Sequence, residues 1–346
     1  MSAYFASLNI LKLAKNLPGG VSQGIIWGIM AIGVYVTFKI LDVADLTVDG
    51  SFATGGAVLV VMVTSGHNIY FAMLCAFFAG CLAGLATGLL HTKFGIPAIL
   101  AGILTQLSLY SINLRIQGDM ANLPLSYMNY KYPITLRNVS KTMLPVEVSK
   151  ENEVLSMLTR LCNQSLLICA LIAGVLIALL YWFFGTERGH ALRVTGSNLN
   201  MARANGINTD NNKIIGIILS NGIVAFSGGM LAQYQGFCDV NMGRGGIVIG
   251  LAAVIIGEVL FGKVFHNFSL KLLATVLGGI VYYVVITLVL NFGMKANDLK
   301  LFTAIVVGIF LGIPYWKAQL TQKFGGKKTG IDGNGAPEEE EVVENA

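Results

Sequence analysis

The chain has 346 residues, of which 55% are hydrophobic, 12% are charged and 41 are glycine, and its formal net charge is +5. Its mean hydropathy of +0.69 excludes an ordinary soluble globular protein. The positive charge does not indicate nucleic-acid binding, because the basic residues lie in short loops and in the tail rather than in one stripe.

Long apolar runs predict nine membrane segments in an all-α polytopic protein. The clearest run, Leu166 to Phe184, has 19 residues, enough to cross about 30 Å of hydrocarbon as a helix. The runs at 52–65 and 247–261 are short for a perpendicular crossing. The predicted segments are 21–38, 52–65, 69–90, 95–114, 165–184, 213–234, 247–261, 269–291 and 299–314.

The flanking segments set the orientation. Residues 1–20 form an N-terminal extension without the pattern of a cleaved signal peptide, so we expect the first span to remain as an anchor. Basic residues after the last span place the tail, 315–346, in the cytoplasm by the positive-inside rule. Counting backwards places loop 185–212 in the cytoplasm and loop 116–164 outside. The same count places the N-terminus outside, although Lys12 and Lys15 favour the opposite side.

The order of the segments predicts an inverted repeat. A span, a polar glycine-rich loop, a short span and two full spans occur in 21–115 and again in 213–314, with one linking transmembrane helix at 165–184. Such repeats are common in transporters, which bind solute near the repeat interface. Gly80, Gly84 and Gly88 recur every fourth residue, a spacing typical of close helix packing, with a gating hinge as the alternative.

The two polar segments outside the membrane carry no assigned chemistry. The external loop 116–164 is too long for a simple turn, so it either docks an extracytoplasmic partner or caps the bundle. The tail beyond residue 325 is rich in Gly, Lys and Glu, and its composition predicts disorder.

No catalytic or metal-binding residue is predicted. The sequence GEVLFGK at 257–263 resembles a phosphate-binding loop, but Val264 replaces the hydroxyl residue that such a loop requires, and a membrane span rather than a strand precedes it. The cysteines and histidines lack metal-ligand spacing. The chain is therefore predicted to be non-catalytic, without a cofactor of its own.

Polar side chains at membrane depth are candidates for a translocation path, since each costs about 2–3 kcal/mol at a helix centre unless it faces a cavity or a partner. Three have structural alternatives: Asp49 as a helix cap, Asn221 as a link between helices, and Glu258 as a partner of Lys263 or Lys271. The candidates are Asp45, Thr47, Asp49, Ser51, Thr105, Gln106, Asn113, Ser220, Asn221, Gln233, Gln235 and Glu258.

The cytoplasmic loop contains a short predicted helix. Ser197 or Asn198 is a suitable N-cap, residues 199–205 form the helix, and Gly206 ends it. A capped helix across the inner ends of the spans is typical of a mechanical lever, with an amphipathic linker as the alternative. The residues assigned to coupling are Arg193, Ser197, Asn198, Met201, Ala202, Arg203 and Gly206.

Four segments together resemble the permease subunits of ATP-binding-cassette importers, in the tryptophan/tyrosine or uncharacterised branch related to branched-chain amino acid permeases. They are DLTVDGSFATGGAV (45–58), GIPAILAGILTQLSLYSINLRIQG (95–118), GHALRVTGSNLNMARANGINTD (189–210) and AQYQGFCDVNMGRGGIVIGLAAVIIGEVLFG (232–262). The N-terminal extension, the long external loop and the acidic tail depart from that pattern.

The resemblance implies a type II importer-like permease homodimer in the bacterial cytoplasmic membrane. A cytoplasmic ATPase dimer carrying ATP and Mg²⁺ would dock on 189–210, and an extracytoplasmic solute-binding lipoprotein would deliver the solute. Asp239 and Asn241 join the predicted path by family likeness. An aromatic or hydrophobic amino acid is the favoured solute. The alternatives are a sugar, nucleoside or peptide-like solute, an ion-coupled carrier and a membrane scaffold.

Overall fold

The computed structural model describes residues 10–125, 166–262, 264, 265, 267–291, 301, 304, 305, 307, 308 and 312, with only the backbone of 10–15. The last predicted span and the tail predicted to be cytoplasmic lie almost wholly outside these residues, as does most of the loop predicted to be external.

Helices make up nearly all of the described chain. Ten α-helices are α1 (Ile10–Tyr35), α2 (Val48–Thr64), α3 (Ile69–Thr92), α4 (Ala98–Ile116), α5 (Leu166–Phe184), α6 (Glu187–Ser197), α7 (Leu199–Ala204), α8 (Thr209–Gln235), α9 (Gly246–Phe261) and α10 (Phe268–Asn291). A π-helix, Val36–Ile40, continues α1. Strands β1 (Asn122–Pro124) and β2 (Phe237–Asp239) pair antiparallel, with Leu123 opposite Cys238.

Six helices of the described chain are long and apolar enough to cross a membrane, and two further apolar helices, α2 and α9, are shorter. This confirms the prediction of a polytopic helical protein, and the two short helices fall where the two short apolar runs were predicted. Helix α1 begins at Ile10 rather than at the predicted residue 21. The sequence concealed this start because Pro18 lies within the helix, where the Ser22 hydroxyl donates to the Pro18 carbonyl at 3.0 Å.

The two halves interlock reciprocally. A long helix, a loop, a short helix and a second long helix follow one another as α1, α2 and α3, and again as α8, α9 and α10. The first helix of each half packs closely against the third helix of the other, so that α1 contacts α10 and α8 contacts α3. The two first helices also touch, where the Ser220 hydroxyl donates to the Gly33 carbonyl at 2.7 Å and Ser227 to the Ile26 carbonyl at 2.6 Å.

Glycines set the close approach of these helices. A Cβ on Gly84 of α3 would lie 2.6 Å from the Ile217 carbonyl of α8, and one on Gly28 of α1 would lie 2.9 Å from Val276 Cα of α10. A Cβ on Gly228 of α8 would overlap the Phe52 carbonyl of α2. Gly80, Gly84 and Gly88 therefore all lie at helix contacts, which confirms the packing interpretation for this face.

We predict that Gly228→Ala lowers stability by about 1–3 kcal/mol, because the added methyl group would force α2 and α8 apart. Thermal unfolding of the purified protein in mild detergent would measure the loss. Gly174→Ala is the matched control, since nothing lies within 4 Å of a Cβ there. Equal melting temperatures for the two variants would contradict the close contact.

Candidate functional site: an interior polar cluster and a cytoplasmic helix pair

A buried polar cluster lies where α2 begins. Asn221 of α8 donates from Nδ2 to Asp45 Oδ2 at 2.6 Å and accepts at Oδ1 from the Ser51 hydroxyl at 2.7 Å. Asp45 Oδ1 accepts from the Thr47 backbone N–H at 2.9 Å. Each of these four side chains is at most 3% exposed. The Asn221 amide thus holds a loop of the first half to a helix of the second.

A chain of threonine hydroxyls extends this cluster towards α4. The Thr47 hydroxyl lies 2.7 Å from that of Thr87, which donates to Thr105 at 2.9 Å. Thr87 was not predicted as a site residue, because a single threonine between two glycines of a helix-packing face does not indicate a polar cluster. Each hydroxyl is satisfied, so the cluster lowers the cost of placing polar groups in the bundle.

Asp49 caps the first turn of α9. Its Oδ2 accepts from the Gly245 N–H at 2.8 Å and its Oδ1 from the Ile247 N–H at 2.9 Å. A carboxylate at this end of a helix also interacts favourably with the helix dipole. Asp49 is therefore a helix cap, which is the structural alternative to a path residue. The helix that it caps belongs to the other half of the chain.

The other predicted path residues lie farther along the same helices. Asn113 is buried and its Nδ2 lies 3.5 Å from the Gly50 carbonyl, while Gln106 is half-buried. Gln233 is buried and donates to Met73 Sδ at 2.8 Å. The remaining three, at the end of α8 and around β2, are the exposed Gln235 and Asn241 and the half-buried Asp239.

The predicted path residues thus fall into two groups: the cluster at the start of α2, and the side chains near β2. Their role in solute passage stays a prediction. Among the described residues no group of three or more His, Cys, Asp or Glu side chains could hold a metal ion. The chemistry available in the interior cluster is therefore hydrogen bonding by neutral amides and hydroxyls beside two carboxylates.

Helices α6 and α7 form a pair of short helices directly after α5. Asn198 joins them and caps α7 by accepting from the Met201 N–H at 3.0 Å. Gly206 ends the turn with a positive φ of 74°. Of the two predicted caps, Asn198 is the residue used, and the helix spans Leu199–Ala204.

The helix pair is fixed on one side and exposed on the other. Leu192 of α6 and Ala202 of α7 are fully buried, whereas Met201 is 56% exposed. Arg203 is exposed and its side chain lies against the start of α8, 3.1 Å from the Thr209 hydroxyl and 3.7 Å from Asp210. The short helix α7 is therefore exposed on one side and attached to the start of α8 on the other.

Arg193 of α6 is an attachment residue. Its guanidinium lies 4.0 Å from the ring centre of Phe268 and 5.4 Å from that of Phe184, so cation–π contacts link α6 to α10 and α5. Burial at these rings lowers the pKa of Arg193 from its usual range. The predicted coupling residue thus faces the bundle.

Lys39 of the π-helix pairs with Glu258 near the end of α9. Of the two lysines predicted as partners of Glu258, Lys263 lies outside the described residues. Lys39 Nζ lies 3.0 Å from Oε1 and 3.1 Å from Oε2, with side chains 48% and 55% exposed. Ion pairs this exposed contribute about 0.2–1 kcal/mol. No pattern in the sequence indicates this pair, because the partners are 219 residues apart.

The fold and the interior cluster define a polytopic helical membrane protein whose two interlocked halves bury hydrogen-bonding groups. Comparison with known proteins specifies the class of this protein. The family model of the branched-chain amino acid transport system permease component matches residues 16–314. The chain therefore belongs to this permease family, and it is a multi-pass protein of the bacterial cell membrane.

Individual relatives agree with that family. The tyrosine transport system permease protein of Clostridioides difficile (strain R20291) is 38% identical over 84% of this chain and 88% of its own length. A protein of Rickettsia prowazekii (strain Madrid E), described as uncharacterized, is 28% identical over 84% of this chain and 95% of its own. The autoinducer 2 import system permease protein LsrC of Yersinia pseudotuberculosis is 28% identical over 67% of this chain and 58% of its own.

We predict that Ser51→Ala lowers stability by about 1–3 kcal/mol, because it leaves the buried Asn221 Oδ1 without its hydroxyl donor. The melting temperature in detergent would then fall by several degrees. The control is Ser108→Ala, an exposed serine whose hydroxyl donates only to the carbonyl one turn back on its own helix. If both variants melt like the wild type, Ser51 does not stabilise the cluster.

Proposed function

We propose that the chain is the permease subunit of an ATP-driven, binding-protein-dependent importer that moves an aromatic or hydrophobic amino acid. Membership in the permease family supports transport, and a relative named as a tyrosine transport system permease supports the solute class. The subunit forms the translocation path and hydrolyses nothing itself. ATP and Mg²⁺ act on a separate ATPase.

The observation that supports an ATP-driven mechanism is that α7 is exposed on one side and attached to the rest of the protein on the other. An ATPase that pushes on a permease needs a small protruding element that does not bend. Asn198 caps α7, Ala202 buries its inner side and Met201 points outwards. A flexible linker would have none of these three features.

The proposed assembly contains a second copy of the permease and two other kinds of chain. Two copies of the permease form the path between them, a cytoplasmic ATPase dimer binds the α7 helices, and an extracytoplasmic lipoprotein delivers the solute. Within the path, the hydrogen-bonding groups around Asp45 and Asn221, together with the polar side chains near Asp239, are the residues proposed to respond to the solute.

The experiment that tests the proposal reconstitutes the permease with its co-purified partners in liposomes. We expect labelled tyrosine to enter only with ATP and with the binding protein, and unlabelled tryptophan or phenylalanine to compete better than ribose. Uptake driven by an ion gradient without ATP would identify a self-sufficient carrier. ATP-driven uptake of ribose but not of tyrosine would contradict the proposed solute class and would still support an ATP-driven importer.

We predict that Met201→Asp weakens binding of the ATPase about tenfold, or ~1.4 kcal/mol, because it places a charge in the apolar centre of the proposed contact. Co-purification and ATP-driven uptake measure the loss. Lys93→Glu, at an exposed cytoplasmic position after α3, is the control. Normal ATPase binding by the Met201 variant would remove α7 from the contact.

A further inference from the structure

The cytoplasmic helix pair rests on the π-helix. A Cβ on Gly196 of α6 would overlap the Ile40 carbonyl and lie 2.9 Å from Leu41 Cα. Leu192 of α6 and Leu41 also meet over Gly216 of α8, where a Cβ would lie within 3 Å of both side chains. Any displacement of α6 therefore acts directly on the end of the π-helix.

The π-helix is a locally irregular segment between the regular part of α1 and the loop before α2. Its wider turn is closed by the Leu41 N–H donating to the Val36 carbonyl at 3.1 Å and the Val43 N–H to Thr37 at 3.0 Å. Such insertions are rare and often occur at functional sites. Val36 and Ile40 face the interior, while Lys39 is exposed.

Lys39 connects this segment to α9. Its ammonium lies within 3.1 Å of both oxygens of Glu258, which belongs to the last turns of α9. The other end of α9 is held by Asp49, whose carboxylate accepts from the Gly245 and Ile247 N–H groups. Helix α9 thus spans from an exposed ion pair to the buried polar region at the start of α2.

We propose that Lys39 and Glu258 are positioning residues for transport: their ion pair transmits movement of the α6–α7 pair, through the π-helix, to α9 and so to the interior polar region. This inference rests on the proposed ATP-driven function. An exposed pair suits this role because it can break and reform in each cycle, whereas a buried pair would be costly to open.

The test uses the complete complex in liposomes and measures solute imported per ATP hydrolysed. We expect Lys39→Gln and Glu258→Gln each to lower this ratio about fivefold, with unchanged melting temperature and ATPase binding. The exchanged pair, Lys39→Glu with Glu258→Lys, should recover most of it. Lys93→Gln, which removes an exposed cytoplasmic lysine outside this route, is the control.

The outcomes separate the two proposals. Wild-type import without ATP would overturn the proposed function and this inference with it. ATP-driven import by the wild type with an unchanged ratio in both single variants would overturn only the inference. Loss in the single variants without recovery in the exchanged pair would also overturn it, because the charges would then act separately.

Discussion

The near contact of the α8 backbone with α2 and α3 is the constraint on which the rest of the structure depends. Glycines lie where these helices cross. A Cβ on Gly55 of α2 would overlap the Ala225 carbonyl of α8, and one on Gly80 of α3 would overlap the Asn221 carbonyl of α8. In lipid, where apolar side chains gain little by leaving one apolar environment for another, such close packing is the main attraction between helices. Larger residues at these crossings would separate the two halves.

Close backbone contact also makes the interior cluster possible. Asn221 of α8 lies beside Gly84 of α3, where a Cβ would lie 3.0 Å from Asn221 Cβ. From this position its amide reaches both Asp45 and Ser51. Short amide and hydroxyl side chains can bond across helices only at this separation. The glycines thus provide the geometry, and the hydrogen bonds then fix which way the helices face.

Much of the fold could be predicted from the sequence, because membrane helices can be recognised from the length and apolarity of their sequence segments. The two short helices, the Asn198 cap and the glycine faces follow from local patterns. The partners of Asp49 and Glu258 do not, because both lie about 200 residues away in the other half. Periodicity shows which residues share a helix face, but not which distant helix covers it.

The start of α1 and the surroundings of Arg193 could not be predicted, for a related reason. The predicted first span begins at residue 21, yet the helix extends back to Ile10 and includes Pro18. The coupling role of Arg193 stays a prediction, and the structure places its guanidinium over the Phe268 ring. In both cases a residue type common at surfaces is used inside the packing.

The interlocked arrangement has a mechanical consequence for a transport protein. Because α1 packs on α10 and α8 on α3, neither half can move as a separate body without breaking these glycine contacts. Movement is easier in the π-helix and in the loop before α2, whereas α9 is held against α10 by equally close contacts at Gly257 and Gly278. Lys39 lies in the π-helix, and Asp49, which is bonded to the other end of α9, lies in the first turn of α2 directly after this loop. The crossings therefore direct conformational change to the π-helix and to the loop that carries Asp45 of the polar cluster.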